Sequence, residues 1–316
     1  MRLLLLSFVY LFSFSNDILA SGQEKFEKTY STNNIELGYQ WRDHFNASRN
    51  INFTLPKDKV QDQYRSVKKY MPEIVQRYVY IELMKKAQKI DPREASVRIK
   101  KVGKDFNIIV SSQSPEMLEK WRATMLSNRQ DAFSEYLEEN YYTKYQNHLG
   151  QIGIKPDHLR YLRESRELLM PVAQAFFEEL GTGGDTRDYV GLLLSWIQSI
   201  PYNVLEDRLI SNGAGYSSPV EVLTTNLGDC DSKTTLAAAL MRALFPNLKM
   251  AILYLPNHAL LAANLANKET DKYIEIDGYK YVLLEPTGPA LLTVGDIDHK
   301  SSVDIASGMY SIERVP

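Results

Sequence analysis

Cysteine is almost missing from this chain: Cys230 stands alone among 316 residues, which excludes an internal disulfide and any metal site built from several thiolates. A surplus of one charge is also lacking. Lys and Arg number 37 against 39 Asp and Glu, a formal net charge of -2, so the chain is not built to coat nucleic acid, which requires a basic excess on one face. The longest apolar run, Leu3–Phe14, falls short of the ~20 residues that a membrane-spanning helix needs. Internal repeats and low-complexity tracts are absent. What remains is globular in proportion, with 44% hydrophobic and 24% charged residues, and the length suits two domains of roughly 100–200 residues each.

The N-terminus reads as a secretory signal peptide over residues 1–22. Arg2 precedes the apolar run, and the small residues Ala20, Ser21 and Gly22 suit cleavage before Gln23. The expected location is periplasmic or secreted. Cleavage removes one basic and one acidic residue, Arg2 and Asp17, and leaves the net charge at -2. An exported chain that keeps one unpaired thiol directs attention to it, because a free thiol outside the cytoplasm is exposed to oxidation. Asn46-Ala-Ser and Asn52-Phe-Thr match the glycosylation pattern, which matters only in a eukaryotic secretory pathway; we read them as unused.

Alternation of apolar and polar residues predicts strands over 35–41 and 51–55. Apolar spacings of three and four predict a helix over 59–90, broken near Pro72. A hairpin is expected at 95–102 and 106–111, followed by a helix that opens on Ser114-Pro115 and runs to about Tyr145. This region, 23–150, reads as a small α+β domain with no motif that carries chemistry. His44, His148 and His158 are scattered without metal-ligand spacing and read as solvated or core histidines. Gly150 to Pro156 has the punctuation of a boundary, and a second domain is expected over 151–316. Its predicted elements are helices at 157–180, 186–199 and 230–245, then strands at 249–255, 259–265, 272–276 and 280–284.

Three segments of that second domain carry candidate chemistry. Leu227-Gly-Asp-Cys230 leads into a helical, largely apolar run, which sets the thiol at a helix N-terminus. Unpaired backbone N–H groups and about half a positive charge there favour a thiolate and can donate to an oxyanion. Asp229 and Asp231 oppose the thiolate, so a cationic partner is needed. His258, at the end of the apolar run Met250–Leu255, is the candidate base. Glu285 ends the apolar strand Tyr281–Leu284 and is the preferred orienting acid; Asp277, in the turn pair Asp277-Gly278, is its competitor.

In this order, helix-borne Cys, strand-borne His and an acid before Pro-Thr, the segments resemble the bacterial transglutaminase-like superfamily, circularly permuted relatives of papain-like cysteine proteases. Ile197 to Asn203 and Pro219 to Leu223 resemble the segments that precede the nucleophile there, so the likeness covers about 185–290. It implies an α+β fold in which a helix bearing the nucleophile packs on an antiparallel sheet bearing the base and the acid. It implies a Cys230-His258-Glu285 site, with Glu285 replacing the family's usual Asp. Tyr202 is the candidate second oxyanion donor, with Trp196 and Tyr216 as weaker alternatives. The implied activity is that of an amide or acyl hydrolase or acyltransferase on protein or peptide substrates. Ser232 stands where many relatives carry an acid of a calcium-responsive site, so no metal is expected, and no cofactor. The alternative class is a catalytically inactive binding or assembly module on the same fold.

Overall fold

The computed structural model describes residues 22–103, 105–207 and 213–316; the expected signal segment, residues 1–21, lies outside them. Strands β1 (Gln23–Tyr30), β2 (Asn34–Arg42) and β3 (Ser48–Pro56) form an antiparallel meander. Helices α1 (Lys57–Ser66) and α2 (Pro72–Ala87) follow, then the hairpin β4 (Ser96–Val102) and β5 (Asp105–Ser111), and α3 (Pro115–Glu139). A second hairpin joins β6 (Tyr142–Gln146) to β7 (Ile152–Pro156). Next come α4 (His158–Leu180), α5 (Thr186–Ser199), α6 (Pro219–Thr225) and α7 (Cys230–Leu244). The chain ends with β8 (Met250–Leu255), β9 (His258–Ala263), β10 (Tyr273–Ile276), β11 (Tyr279–Leu284), α8 (His299–Ala306) and β12 (Ser311–Val315). The fold is mixed α+β with antiparallel sheets. Among the described residues no helix is long and apolar enough to cross a membrane.

The strands of the main sheet run β10-β11-β9-β8-β12, all antiparallel. Both of its faces are covered, which is why β8 and β9 read as unbroken apolar runs rather than as alternation. Met250, Ile252, Leu261, Ala263, Val282 and Leu284 turn toward the helices. Ala251, Leu253, Leu260, Ala262 and Leu283 turn the other way, toward Ile297 and Ile305. Helix α7 is apolar nearly all round, and Leu236 to Met241 are at most 1% exposed, the pattern of a core helix.

Two sequence-based expectations need correction. Helix α3 stops at Glu139, not near Tyr145, because Tyr141 adopts a left-handed backbone (φ 60°) and Tyr142 opens β6. The segment with the punctuation of a boundary, Gly150 to Pro156, is half of the β6–β7 hairpin, turned at Gly150 with φ 76°.

The hydrophobic core also divides elsewhere than at 150. Val75, Leu83, Phe106, Met125 and Ala132 form their own cluster from α2, β5 and α3. The meander instead shares one core with α4 to α7 and the main sheet: Ile35, Leu37, Tyr39, Trp41, Ile51, Phe53 and Leu55 pack with Phe176, Leu193, Trp196 and Leu223. Polar contacts reinforce the join. Trp41 Nε1 donates to Ser195 Oγ at 3.0 Å. The C-terminal carbonyls of α6, which have no partner within their own helix, accept from the N-terminal region: Leu223 from the Tyr39 hydroxyl at 2.5 Å and Thr224 from Lys28 Nζ at 2.7 Å. Gln23 and Asn226 exchange two amide hydrogen bonds, at 2.8 and 2.9 Å. The meander thereby clamps the turn that feeds Cys230.

Trp41→Ala should therefore destabilise the whole core, by about 3–5 kcal/mol, and lower the denaturant midpoint for exposure of Cys230. A Cys230 transition unmoved by the substitution would contradict a shared core.

Candidate active site

Asp229 is the N-cap of α7, its Oδ1 accepting from Ser232 N at 3.1 Å, so Cys230 is the first helical residue. The approach is held by a short parallel bridge between Tyr202 and Gly228. Gly228 N donates to Pro201 O at 3.3 Å, and Asn203 N to Gly228 O at 3.2 Å. A side chain at Gly228 would crowd its neighbours, since a Cβ there would lie 3.1 Å from Lys233 Cγ and 3.4 Å from Val222. Lys233 itself is fully buried and donates to Ile200 O. Burial drives its ammonium down to about 7, against the opposing pull of Glu285 and Asp229.

His258 opens β9 directly after the tight turn from β8, paired with Leu255 across the hairpin. Glu285 follows β11, the strand beside β9, and is 3% exposed. Adjacent strand ends therefore deliver base and acid to one edge, where His258 Nε2 and Glu285 Oε2 are 2.7 Å apart. The other carboxylate oxygen, Oε1, accepts from Thr287 N at 2.8 Å. With Nε2 engaged by Glu285, Nδ1 is the nitrogen left for the Cys230 thiol, whose nearness is one cause of the raised His258 pKa. Burial alone would discharge the imidazole, but hydrogen bonds and charge from Cys230 and Glu285 outweigh it and push the pKa up to about 10. Thr234 Oγ1 donates to Ala259 O at 3.1 Å, tying the helix that bears Cys230 to the strand that bears His258.

The other candidates separate clearly. Tyr202 is 48% exposed beside the thiol; its burial, then the proximity of Cys230, Asp229 and Asp231, raises its phenol. Trp196 is a core residue, edge-on to Tyr39 and Phe176 at 5.1 Å each, which removes it as an oxyanion donor. Tyr216 is 1% exposed and packs on His158 and Tyr161 below the helix start. Asp277 sits in its turn with φ 52° and pairs with Arg314 at 2.6 Å. It belongs to the far end of β10 and β11 from Glu285.

Several residues at the site carried no usable sequence signal. Gln198, buried on α5, donates to Glu285 O at 2.6 Å and Leu292 O at 2.9 Å, while its Oε1 meets His44 Nε2 at 2.9 Å. Asp298 caps α8 and approaches His258. Burial would raise its carboxyl, but Ser301, the adjacent backbone N–H groups and the His258 charge hold it below the usual range. His258, Glu285 and Asp298 bring one ligand atom each within 4.8 Å of one another, a set that could hold a metal ion only by drawing His258 away from its present partners. The third unforeseen residue is His158, which bonds to Asp231 next to Cys230.

No family model, curated protein or solved structure matches the chain.

Glu285→Gln should bring the His258 titration midpoint, followed by NMR, down from about 10 toward the ordinary histidine value. A raised histidine pKa contributes stability that is complete below about 6.5 and lost as pH climbs through about 10. The variant should therefore melt lower than the native protein at neutral pH, with the gap narrowing above pH 10. An unchanged His258 midpoint would refute the coupling.

Proposed function

We propose that this protein is an exported cysteine-dependent amide or acyl hydrolase or acyltransferase, acting on protein or peptide substrates through Cys230, His258 and Glu285. The observation that carries the reading is the chain of Cys230 thiol, imidazole and buried carboxylate, in which His258 Nε2 bonds Glu285 Oε2 at 2.7 Å and the thiol lies near enough to help raise the imidazole pKa. Such a chain has the form of an activated nucleophile, in which a base oriented by a third group sits within reach of the attacking atom. The α+β layout, with the cysteine helix on an antiparallel sheet that presents His and acid from neighbouring strands, supports the resemblance to the transglutaminase-like superfamily. The signal-like N-terminus supports a periplasmic or secreted site of action.

In this mechanism His258 is an imidazolium at neutral pH, paired with the Cys230 thiolate. The sulfur attacks the substrate carbonyl carbon, and the carbonyl electron pair moves onto oxygen. The developing oxyanion meets the Cys230 backbone N–H, which has no acceptor within its own helix, and the exposed Tyr202 hydroxyl beside it. Loss of one such donor typically costs ~100-fold or more in rate. Collapse of the intermediate expels the amine, which takes the proton from His258 Nδ1 and leaves a thioester on Cys230. Neutral His258 then removes a proton from water or from a primary amine as it attacks the thioester. Water releases an acid, an amine forms a new amide, and either outcome restores the starting ion pair.

Cys230 should react with iodoacetamide rapidly at pH 6, and His258→Ala should slow that reaction roughly tenfold or more. Equal, slow alkylation of both proteins would refute the enzyme reading and favour a binding module. Tyr202→Phe should leave alkylation unchanged but lower turnover of any amide substrate roughly 10- to 100-fold.

A further inference from the structure

His158 is 1% exposed and bonded at both ring nitrogens, Nδ1 to the Tyr254 hydroxyl at 2.7 Å and Nε2 to Asp231 Oδ2 at 3.1 Å. The chain continues beyond Tyr254. Its hydroxyl donates to Glu313 Oε2 at 2.6 Å, and the same carboxylate oxygen accepts from Lys155 Nζ at 2.8 Å. Burial would raise the Glu313 carboxyl, but Lys155 and Tyr254 hold it below its usual range. Glu313 is thus an ionised carboxylate, which can only accept.

Each proton along this chain can then be assigned. Tyr254 has a single O–H, and it points to Glu313, so its oxygen accepts the Nδ1–H of His158. His158 is neutral, because burial and then the Lys155 charge push its imidazole down to about 3. A neutral imidazole carries one N–H, and with that on Nδ1 the Nε2 atom is an acceptor. Its neighbour Asp231 must supply a donor, and the only one a carboxyl group has is its own acid proton.

We propose that Asp231 is a neutral carboxylic acid donating to His158, and that His158 is a positioning residue that keeps it so beside the nucleophile. The consequence rests on the reading of Cys230 as a thiolate nucleophile; the location of the proton does not. Two ionised aspartates flanking Cys230 would oppose a thiolate and cancel the helix-end field. Discharging Asp231 leaves that field for the sulfur. The groups that face Asp231 are His158, Asp229 across the cap, Cys230 beside it in the chain, Lys155, and the Tyr202, Tyr216 and Tyr254 hydroxyls. Although 23% of the Asp231 side chain is exposed, burial of the carboxyl raises its pKa, opposed by a hydrogen bond with Asp229, then by the Asp231 and Ser232 backbone N–H groups, then by Lys155.

The competing arrangement puts the proton on Asp229, whose carboxyl is raised by burial and by Asp231. Asp231 would then be ionised and would require Nε2–H from His158, leaving Nδ1 and the Tyr254 oxygen facing each other without a proton. The His158 tautomer therefore decides between them. Nitrogen NMR of the full native chain, labelled at histidine, should find His158 neutral and protonated at Nδ1 throughout pH 5 to 8. Infrared spectra at neutral pH should contain the carbonyl stretch of a protonated acid, lost in Asp231→Asn and kept in Asp229→Asn. Asp231→Asn should alkylate at pH 6 within about twofold of the native rate, since its amide N–H replaces the acid proton toward Nε2. Tyr254→Phe removes the acceptor that fixes the tautomer; it should abolish the infrared band and slow alkylation roughly three- to tenfold. An Nε2–H or doubly protonated His158, or an acid band lost only in Asp229→Asn, would overturn the proposal. Failure of the nucleophile reading is distinguishable, because native protein and His258→Ala would then alkylate alike while the NMR and infrared signals stood unchanged.

Discussion

The burial of α7 is the constraint on which the rest of this protein depends. A helix whose residues from Leu236 to Met241 are all but inaccessible has one position in the core, and its N-terminus has one place to emerge, at the edge where β9 and β11 end. Cys230 is the first residue of that helix, His258 the first of β9 and Glu285 the first beyond β11. The Thr234 bond to Ala259 O pins the two elements at that edge. The approach to the helix is fixed just as firmly. The N-terminal meander satisfies the carbonyls that end α6, and the Tyr202–Gly228 bridge aligns the last residues before the thiol. A strand far upstream, β1, thus bears on the geometry around Cys230 through Gln23 and Asn226, which lie 203 positions apart.

Charge at the site is arranged so that an imidazolium persists in a place that burial would otherwise make neutral. Cys230 and Glu285 both sustain it, and Glu285 is buried, held at one oxygen by the Thr287 backbone and at its own carbonyl by Gln198, and aimed through the other oxygen at His258. It is therefore preorganised, and the imidazolium costs little reorganisation when charge moves during a reaction. Lys233 and His158, both fully enclosed and both driven toward their neutral forms, surround the helix start without adding full charges to it.

Much of this was legible in the chain. The four strands from Met250 to Leu284 showed as short apolar runs bounded by turn residues, and the order Cys-helix, His-strand, acid-strand followed from them. Other parts were hidden for physical reasons. β1, Gln-Glu-Lys-Phe-Glu-Lys-Thr-Tyr, buries no residue fully and so carries no apolar pattern. Tyr141 ends α3 by adopting a left-handed backbone without the Gly or Asn that usually marks such a position. The sharing of one core by the meander and the C-terminal elements is a long-range packing result that periodicity cannot report. The role of His158 is hidden because its partners Asp231 and Tyr254 lie 73 and 96 positions away, and nothing local distinguishes it from an ordinary core histidine.

The central claim, that Cys230 becomes acylated with His258 as its partner, is tested most directly by intact-mass analysis of the full chain treated with an activated acyl ester such as p-nitrophenyl acetate at neutral pH. The account predicts a burst of one p-nitrophenolate per protein and one acyl group, found on the peptide that contains Cys230, with both lost in Cys230→Ala and greatly slowed in His258→Ala. Acylation elsewhere on the chain, or acylation of Cys230 at the same rate without His258, would contradict it.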